Sequence, residues 1–289
     1  MGSPNEIILL TGANGGLGSV ITRQLASQQQ FAVYHSIYAV RDAASAPDLR
    51  KAIVSSAQLR PHDVVSLDLA DLKNVREVAK TINNRVSNGH IPPIKLLILN
   101  AGFQDFGKQA LDTSSARIIV IGSQSHDPHN KRNDGTGAFV DEKHQTVLQE
   151  PATVDAIARG SWSSAQEDPS WKSGYRRYGS AKLFSIMMIH GLQSRMNHDA
   201  NLQNVCILGV DPGTMMTGLQ RHAPWIIRVL VFQIIYPIIP FFSPNGPIRS
   251  THRSAMQVLY ATFKSDSESG AYPKGNYYFN KKLFETSRV

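Results

Sequence analysis

Residues 7–18 read IILLTGANGGLG, and no other stretch of this 289-residue chain restricts its fold so tightly. Four apolar residues run straight into Thr11, and glycines follow at Gly12, Gly16 and Gly18. The pattern predicts a buried strand turning sharply into a helix. Glycines let such a turn approach a pyrophosphate closely, while the unpaired N–H groups and dipole of the following helix attract its charge. Leu17, Val20, Ile21 and Leu25 then keep helical spacing as far as Gln28. Thr11, Gly12, Asn14, Gly16, Leu17 and Gly18 are therefore the expected phosphate-side binding residues.

The rest of the chain alternates in the same way. Phe31 to Val40 has strand composition and ends at Arg41. A carboxylate at that place would bind the adenosine ribose, whereas a guanidinium accommodates a 2′-phosphate, so Arg41 favours NADP over NAD. Residues 49–57 predict a helix, and Val64, Val65 and Leu67 a third strand leading to Asp68 and Leu69, which are placed to meet the adenine. A helix from Asp71 to about Val86 follows. Leu96 to Leu99 form a continuously apolar strand, suited to burial on both faces, that ends in Asn100, Ala101 and Gly102. Ile118 to Ile121 give another strand, ending in Gly122 and Ser123. Val205 to Val210 give one more, ending in DPGTMMT; a helix from about Arg249 to Phe263 precedes a last strand at Tyr277 to Phe279, whose aromatic rings suggest edge packing.

TGANGGLG, Asp68, Asn-Ala-Gly, Ser123 and Tyr178 four residues before Lys182 together resemble the short-chain dehydrogenase/reductase family, and the likeness covers most of the chain. The resemblance implies an α/β Rossmann-type doubly wound parallel sheet in a single domain, residues 1–289, carrying NADP(H). It implies that Asn100 holds the central strand near the cofactor ribose, that Lys182 holds the nicotinamide ribose, and that Pro212, Gly213, Met215 and Thr217 line the nicotinamide amide. Its expansions between Ser123 and Tyr178 resemble the retinol dehydrogenase and protochlorophyllide reductase-like branch.

Four residues along a helix rise about 6 Å and return to nearly the same face, so Tyr178 and Lys182 point into one site. A neighbouring ammonium stabilises phenolate and is expected to lower the tyrosine pKa, making Tyr178 a general acid or base. Ser123, preferred over Ser125, would anchor the substrate oxygen while a hydride moves to or from nicotinamide. The implied activity is interconversion of a carbonyl and an alcohol, in a setting such as secondary-metabolite biosynthesis.

Two departures qualify this. Only 17 residues join Ala101 to Arg117, which leaves room for at most one short helix. The family's long helix at this place, longer by on the order of thirty residues or about 45 Å if helical, helps form its usual dimer interface. A protein that binds NADP without efficient turnover is the alternative this shortening raises. The second departure is the expansion from Ser123 to Tyr178, whose Asp, Asn, Gly, Ser and Lys content predicts an exposed loop, a short helix near Thr153 to Ala158, and solvated His126 and His129 rather than metal ligands.

Residues 213–247 fall where the family carries its substrate lid. Their core, WIIRVLVFQIIYPIIPFF at 225–242, contains Pro237 and Pro240 and has too short an uncharged run to span a membrane comfortably. It implies a lipophilic small-molecule substrate, with peripheral membrane contact as the runner-up. The net charge of +8 comes from scattered rather than clustered bases, which argues against nucleic acid and fits an anionic cofactor. One cysteine rules out an internal disulfide, and MGSPNEIILL lacks a secretory signal, so a cytoplasmic location is expected.

Overall fold

A computed structural model describes residues 6–55, 60–101, 116–148, 151–215, 248–263, 274–279 and 282–284. Gly102, Thr217, the core of the short crossover and nearly all of the 213–247 segment lie outside these described residues.

The strands are β1 (Glu6–Thr11), β2 (Tyr34–Val40), β3 (His62–Ser66), β4 (Ile94–Leu99), β5 (Arg117–Ile121), β6 (Cys206–Val210), β7 (Tyr277–Phe279) and β8 (Lys282–Phe284). The described helices are α1 (Gly16–Ser27), α2 (Pro47–Val54), α3 (Leu72–Ser87), α4 (Pro151–Ala158), α5 (Trp171–Asn197) and α6 (Thr251–Phe263). One sheet runs β3-β2-β1-β4-β5-β6-β7-β8. Its first seven strands are parallel, and β8 turns back antiparallel on β7. The chain reverses its winding between β1 and β4, and the crevice beyond the carboxyl ends of such a pair is the ligand site of doubly wound sheets.

Side-chain alternation explains the layering. Ile8 and Leu10 of β1, Leu96 and Ile98 of β4 and Leu208 of β6 face Leu17, Ile21, Leu49 and Val258 of α1, α2 and α6. Ile7 and Leu9, Leu97, Ile118 and Ile207 point the other way, toward Ile82 of α3 and Ile186 and Ile189 of α5. Helix α3 begins where Asp71 accepts hydrogen bonds from the backbone of Lys73 and Asn74. It leaves a small, partly open apolar groove against the sheet, lined by Leu9, Ala39, Leu67, Leu69 and Val78 among others.

Three expectations are corrected. The second strand starts at Tyr34, because Phe31 closes a single 3-10 turn and packs its ring on Phe263 of α6. The expansion after Ser123 is not an open loop. Short 3-10 turns and α4 fold it against α5, and Ala138, Phe139, His144, Val147 and Ser163 become buried. Arg176 of α5 ties it down by donating to Ser163 Oγ (2.7 Å) and the Ala138 carbonyl (3.0 Å) and pairing with Asp168. Nor is Tyr277–Phe279 the last strand or an edge: β8 flanks it, and Tyr277 and Tyr278 are buried.

Candidate active site

The turn after β1 is built from two conditions that sequence alone states. Gly12 has φ of 65°, the left-handed region, and a methyl group on Gly18 would overlap the Gly12 carbonyl oxygen. Gly15 caps α1 with no side-chain hydrogen bond, so the first turn of Gly16 and Leu17 meets the crevice with its backbone donors. Asn100 closes the other wall. Its Nδ2 donates to the carbonyls of Thr11 (3.0 Å) and Gly12 (3.2 Å), while Thr11 Oγ1 accepts from the backbone of Asn100 and Ala101, both at 3.1 Å. Thr11 is thereby a clamp between β1 and β4, and Ala101 is fixed with it. Asn14 instead reaches across to α2, its Oδ1 accepting from Leu49 N–H (3.0 Å).

The opposite end of this crevice is set by β2 and β3. Arg41 projects its side chain to solvent, 85% exposed, with Nε 3.9 Å from Asp68 Oδ1. Leu69 follows Asp68 and lines the groove beside Leu67 and Thr11. A glycine turn at a helix N-terminus with an exposed guanidinium at the next strand's end fits the pyrophosphate and 2′-phosphate of a dinucleotide.

Tyr178 and Lys182 lie on α5, whose first turn Ser170 caps through Lys172 N–H. Ser123 lies just beyond β5, where its hydroxyl eases ionisation of the Tyr178 phenol. Its Oγ also accepts from the N–H (3.3 Å) and hydroxyl (3.0 Å) of Ser125. A hydroxyl has one proton and two lone pairs, so Ser125 occupies the acceptors and leaves Ser123 its proton to donate. Ser123 is thus the residue at the tyrosine, and the buried Ser125 orients it. Lys182 Nζ donates to the Ile121 carbonyl (2.7 Å) and sits 5.6 Å from the centre of the Tyr178 ring.

The electrostatics correct a further expectation. Burial pushes the Tyr178 phenol up to about 12, against the lowering pull of Ser123, and the Asp211 carboxylate adds to the rise. Burial likewise pushes the Lys182 ammonium down to about 8, opposed by Asp211. The low-dielectric setting outweighs the expected lowering of the tyrosine by its lysine. At neutral pH the pair therefore holds a protonated phenol beside an ammonium.

Beyond β6, Pro212 and Gly213 form a turn in which Gly213 N–H donates to Asp211 Oδ1 (2.8 Å), and Ser254 of α6 donates to the Pro212 carbonyl (2.8 Å). Thr214 bridges to Ile248, and Met215 is buried in the α1-side core. His126 is buried rather than solvated: its Nδ1 donates to the Ser123 carbonyl (2.6 Å) and its ring meets Tyr277 edge-on. His129 is exposed. Among the described residues no cluster of three or more metal-ligating side chains occurs.

Sequence reasoning weighed Ser125 only as a rival to Ser123, and it gave no role to Arg132 or Asp211. The signal for Asp211 was available, a carboxylate at the carboxyl end of a buried apolar strand. Arg132 carried none.

No protein-family model matches the chain. It is similar to the short-chain dehydrogenase iccH of Talaromyces variabilis, with 33% identity over 93% of this chain and 87% of that protein. The short chain dehydrogenase atnD of Emericella nidulans is 25% identical over 92% of this chain and 82% of the relative. Among solved structures, salutaridine reductase from Papaver somniferum superposes with a TM-score of 0.60 at 13% identity, covering 94% of this chain and 99% of that one. L-sorbose reductase from Gluconobacter frateurii, complexed with NADPH and L-sorbose, gives 0.53 at 16% identity and covers 96% of both chains. These structural likenesses show the shared fold.

Proposed function

We propose that this chain, which belongs to the short-chain dehydrogenase/reductase family, uses NADPH to reduce a carbonyl on a lipophilic small molecule to the alcohol, and catalyses the reverse reaction at high product. The observation that carries this reading is Lys182 set 5.6 Å from the Tyr178 ring on one helix and held by the Ile121 carbonyl, with Ser123 two residues beyond Ile121.

Thr11, Gly12, Asn14, Gly16, Leu17 and Gly18 would hold the cofactor's phosphate side, with Arg41 at the 2′-phosphate and Asp68 and Leu69 at the adenine. Asn100 and Ala101, Tyr178 and Lys182, and Pro212, Gly213 and Met215 would hold the nicotinamide half. When bound, NADPH supplies the hydride. The protein's own groups handle the oxygen. Tyr178 presents its phenolic proton to the carbonyl oxygen, and Ser123 donates a second hydrogen bond as negative charge grows there. Proton transfer leaves a phenolate, which the Lys182 ammonium steadies.

A protonated phenol is the form that can give its proton to a carbonyl oxygen. The apolar composition of residues 225–242 supports a lipophilic substrate, and a docked position on a membrane surface from the cytoplasmic side is consistent with the same stretch. Among the described residues no helix is long and apolar enough to cross a membrane. The relatives named as short-chain dehydrogenases support the oxidoreductase part of this reading.

The test is NADPH binding to purified protein, followed by NADPH oxidation with a panel of apolar ketones and aldehydes, in the native chain and Tyr178→Phe. Turnover that collapses in the variant supports the reading. Tight binding with no turnover would transfer the chain to a binding-only role, and folded protein that ignores NADPH would overturn the cofactor assignment.

A further inference from the structure

Asp211 is 1% exposed at the carboxyl end of β6. Its place is set by the ladder: Val210 lies opposite Ile121, Gly122 N–H donates to the Val210 carbonyl (2.8 Å), and Asp211 N–H donates to the Tyr278 carbonyl (2.8 Å). The carboxylate therefore stands one step along from Ile121, the residue whose carbonyl holds Lys182. A buried anion at this point opposes every step that makes a phenolate. The expansion after Ser123 delivers its counter-charge. Arg132 Nη2 lies 2.9 Å from Asp211 Oδ2, an ion pair by distance whose angle leaves that buried oxygen without a hydrogen bond, so the contact is one of charge.

Arg132 is itself clamped. Its Nη1 donates to Gln124 Oε1 (3.3 Å), its Nε to Asn130 Oδ1 (3.3 Å), and its guanidinium stacks 3.8 Å from the centre of the Phe279 ring. Asn133, which anchors the same turn by donating to the carbonyls of Gln124 and Asp127, accepts the Tyr175 hydroxyl (2.8 Å) one helical turn before Tyr178. One connected network thus runs from the expansion to the tyrosine helix.

The geometry points to Arg132 as a positioning residue: by closing an ion pair on Asp211, it sets the field in which Tyr178 and Lys182 handle the proton. The inference rests on the functional reading above for its chemistry. Its electrostatic content is separate. The charged and titratable groups among the described residues that face this couple are Asp211 after β6, Tyr277 on β7 and Tyr175 on α5. Arg249 joins Arg132 on the Asp211 side, stacking on Phe279. With Arg132 in place the Asp211 anion is screened. Without it, the anion favours the Lys182 ammonium and disfavours the Tyr178 phenolate.

The experiment reads Lys182 directly, by carbon NMR of its Cε across pH, with Lys182→Arg assigning the signal. In the native chain, burial is expected to bring the ammonium's titration down to about 8. Arg132→Gln is expected to hold the proton to higher pH, with about tenfold more ammonium at a given alkaline pH. Asp211→Asn is expected to move the titration the opposite way, and the double variant to return it near the native curve. A packing role alone produces no such reversal of sign. An unmoved titration in Arg132→Gln, or shifts in one direction for both single variants, would overturn the inference. If Arg132→Gln does not fold, Asp211→Asn and Arg132→Lys carry the test: a downward move in the first with none in the second is expected, and no move in the first overturns it. Lack of NADPH turnover would sink the functional reading and leave this titration standing.

Discussion

Gly179 packs so tightly on the Ser125 carbonyl oxygen that a single methyl group there would overlap it. The contact presses α5 onto the turn that carries Ser123, at the residue next to Tyr178. The tyrosine and serine therefore meet because a side chain is missing between their backbones.

Gly179→Ala should push the helix off that turn. Overpacking of this kind costs about 1–3 kcal/mol, and displacement of the tyrosine by an ångström should lower kcat by about a hundredfold. Turnover measured beside the unfolding midpoint separates the two, since the loss of kcat should far exceed what a few degrees of Tm explain.

Gly18→Ala should act on the cofactor instead. The added methyl meets the Gly12 carbonyl, so the turn must open where the phosphates are expected to lie. NADPH affinity should fall by tenfold or more, about 1.4 kcal/mol, in fluorescence titration, with the fold retained.

Arg41→Ala tests the dinucleotide preference. The guanidinium is exposed and only loosely paired with Asp68, at 3.9 Å. Loss of a charge-assisted contact to the 2′-phosphate should weaken NADPH by roughly tenfold while leaving NADH nearly unchanged. Equal weakening of both would place the 2′-phosphate elsewhere.

His144 predicts an acid limit to stability. Burial, with Arg176 and Lys143 nearby, holds its imidazole below the ordinary 6.5, and its ring packs edge-on against Trp162. The unfolded chain therefore binds a proton that the folded one refuses. Stability should be complete above pH 6.5 and decline as the pH falls through that value toward the folded pKa. Thermal unfolding at stepped pH checks it. His144→Gln should flatten this part of the profile, and an unchanged slope would assign the acid sensitivity to other groups.

Much of the site was legible in the residues because it depends on local geometry. The phosphate turn follows from Gly12 and Gly18, and the shared face of Tyr178 and Lys182 follows from the helical repeat. The end of β2 put Arg41 at the carboxyl edge of the sheet, where its side chain is exposed, and Asp71 marked the start of α3. The expansion after Ser123 was misread. Its polar composition describes side chains that mostly hydrogen-bond to backbone, as Asn133 does, and such a segment can be folded and half-buried without an apolar period to announce it.

The sequence by itself determined the alternation of strands and helices, the two-sided burial of β4, and the candidate residues at the strand ends. These follow from periodicities of two and 3.6 residues that each segment carries alone. Only the tertiary structure decided that Arg132 meets Asp211, that His126 and Tyr277 pack beneath Ser123, and that burial sets the ionisation of Tyr178 and Lys182. Ion pairing and desolvation depend on which distant segments share a low-dielectric space. No local repeat encodes that.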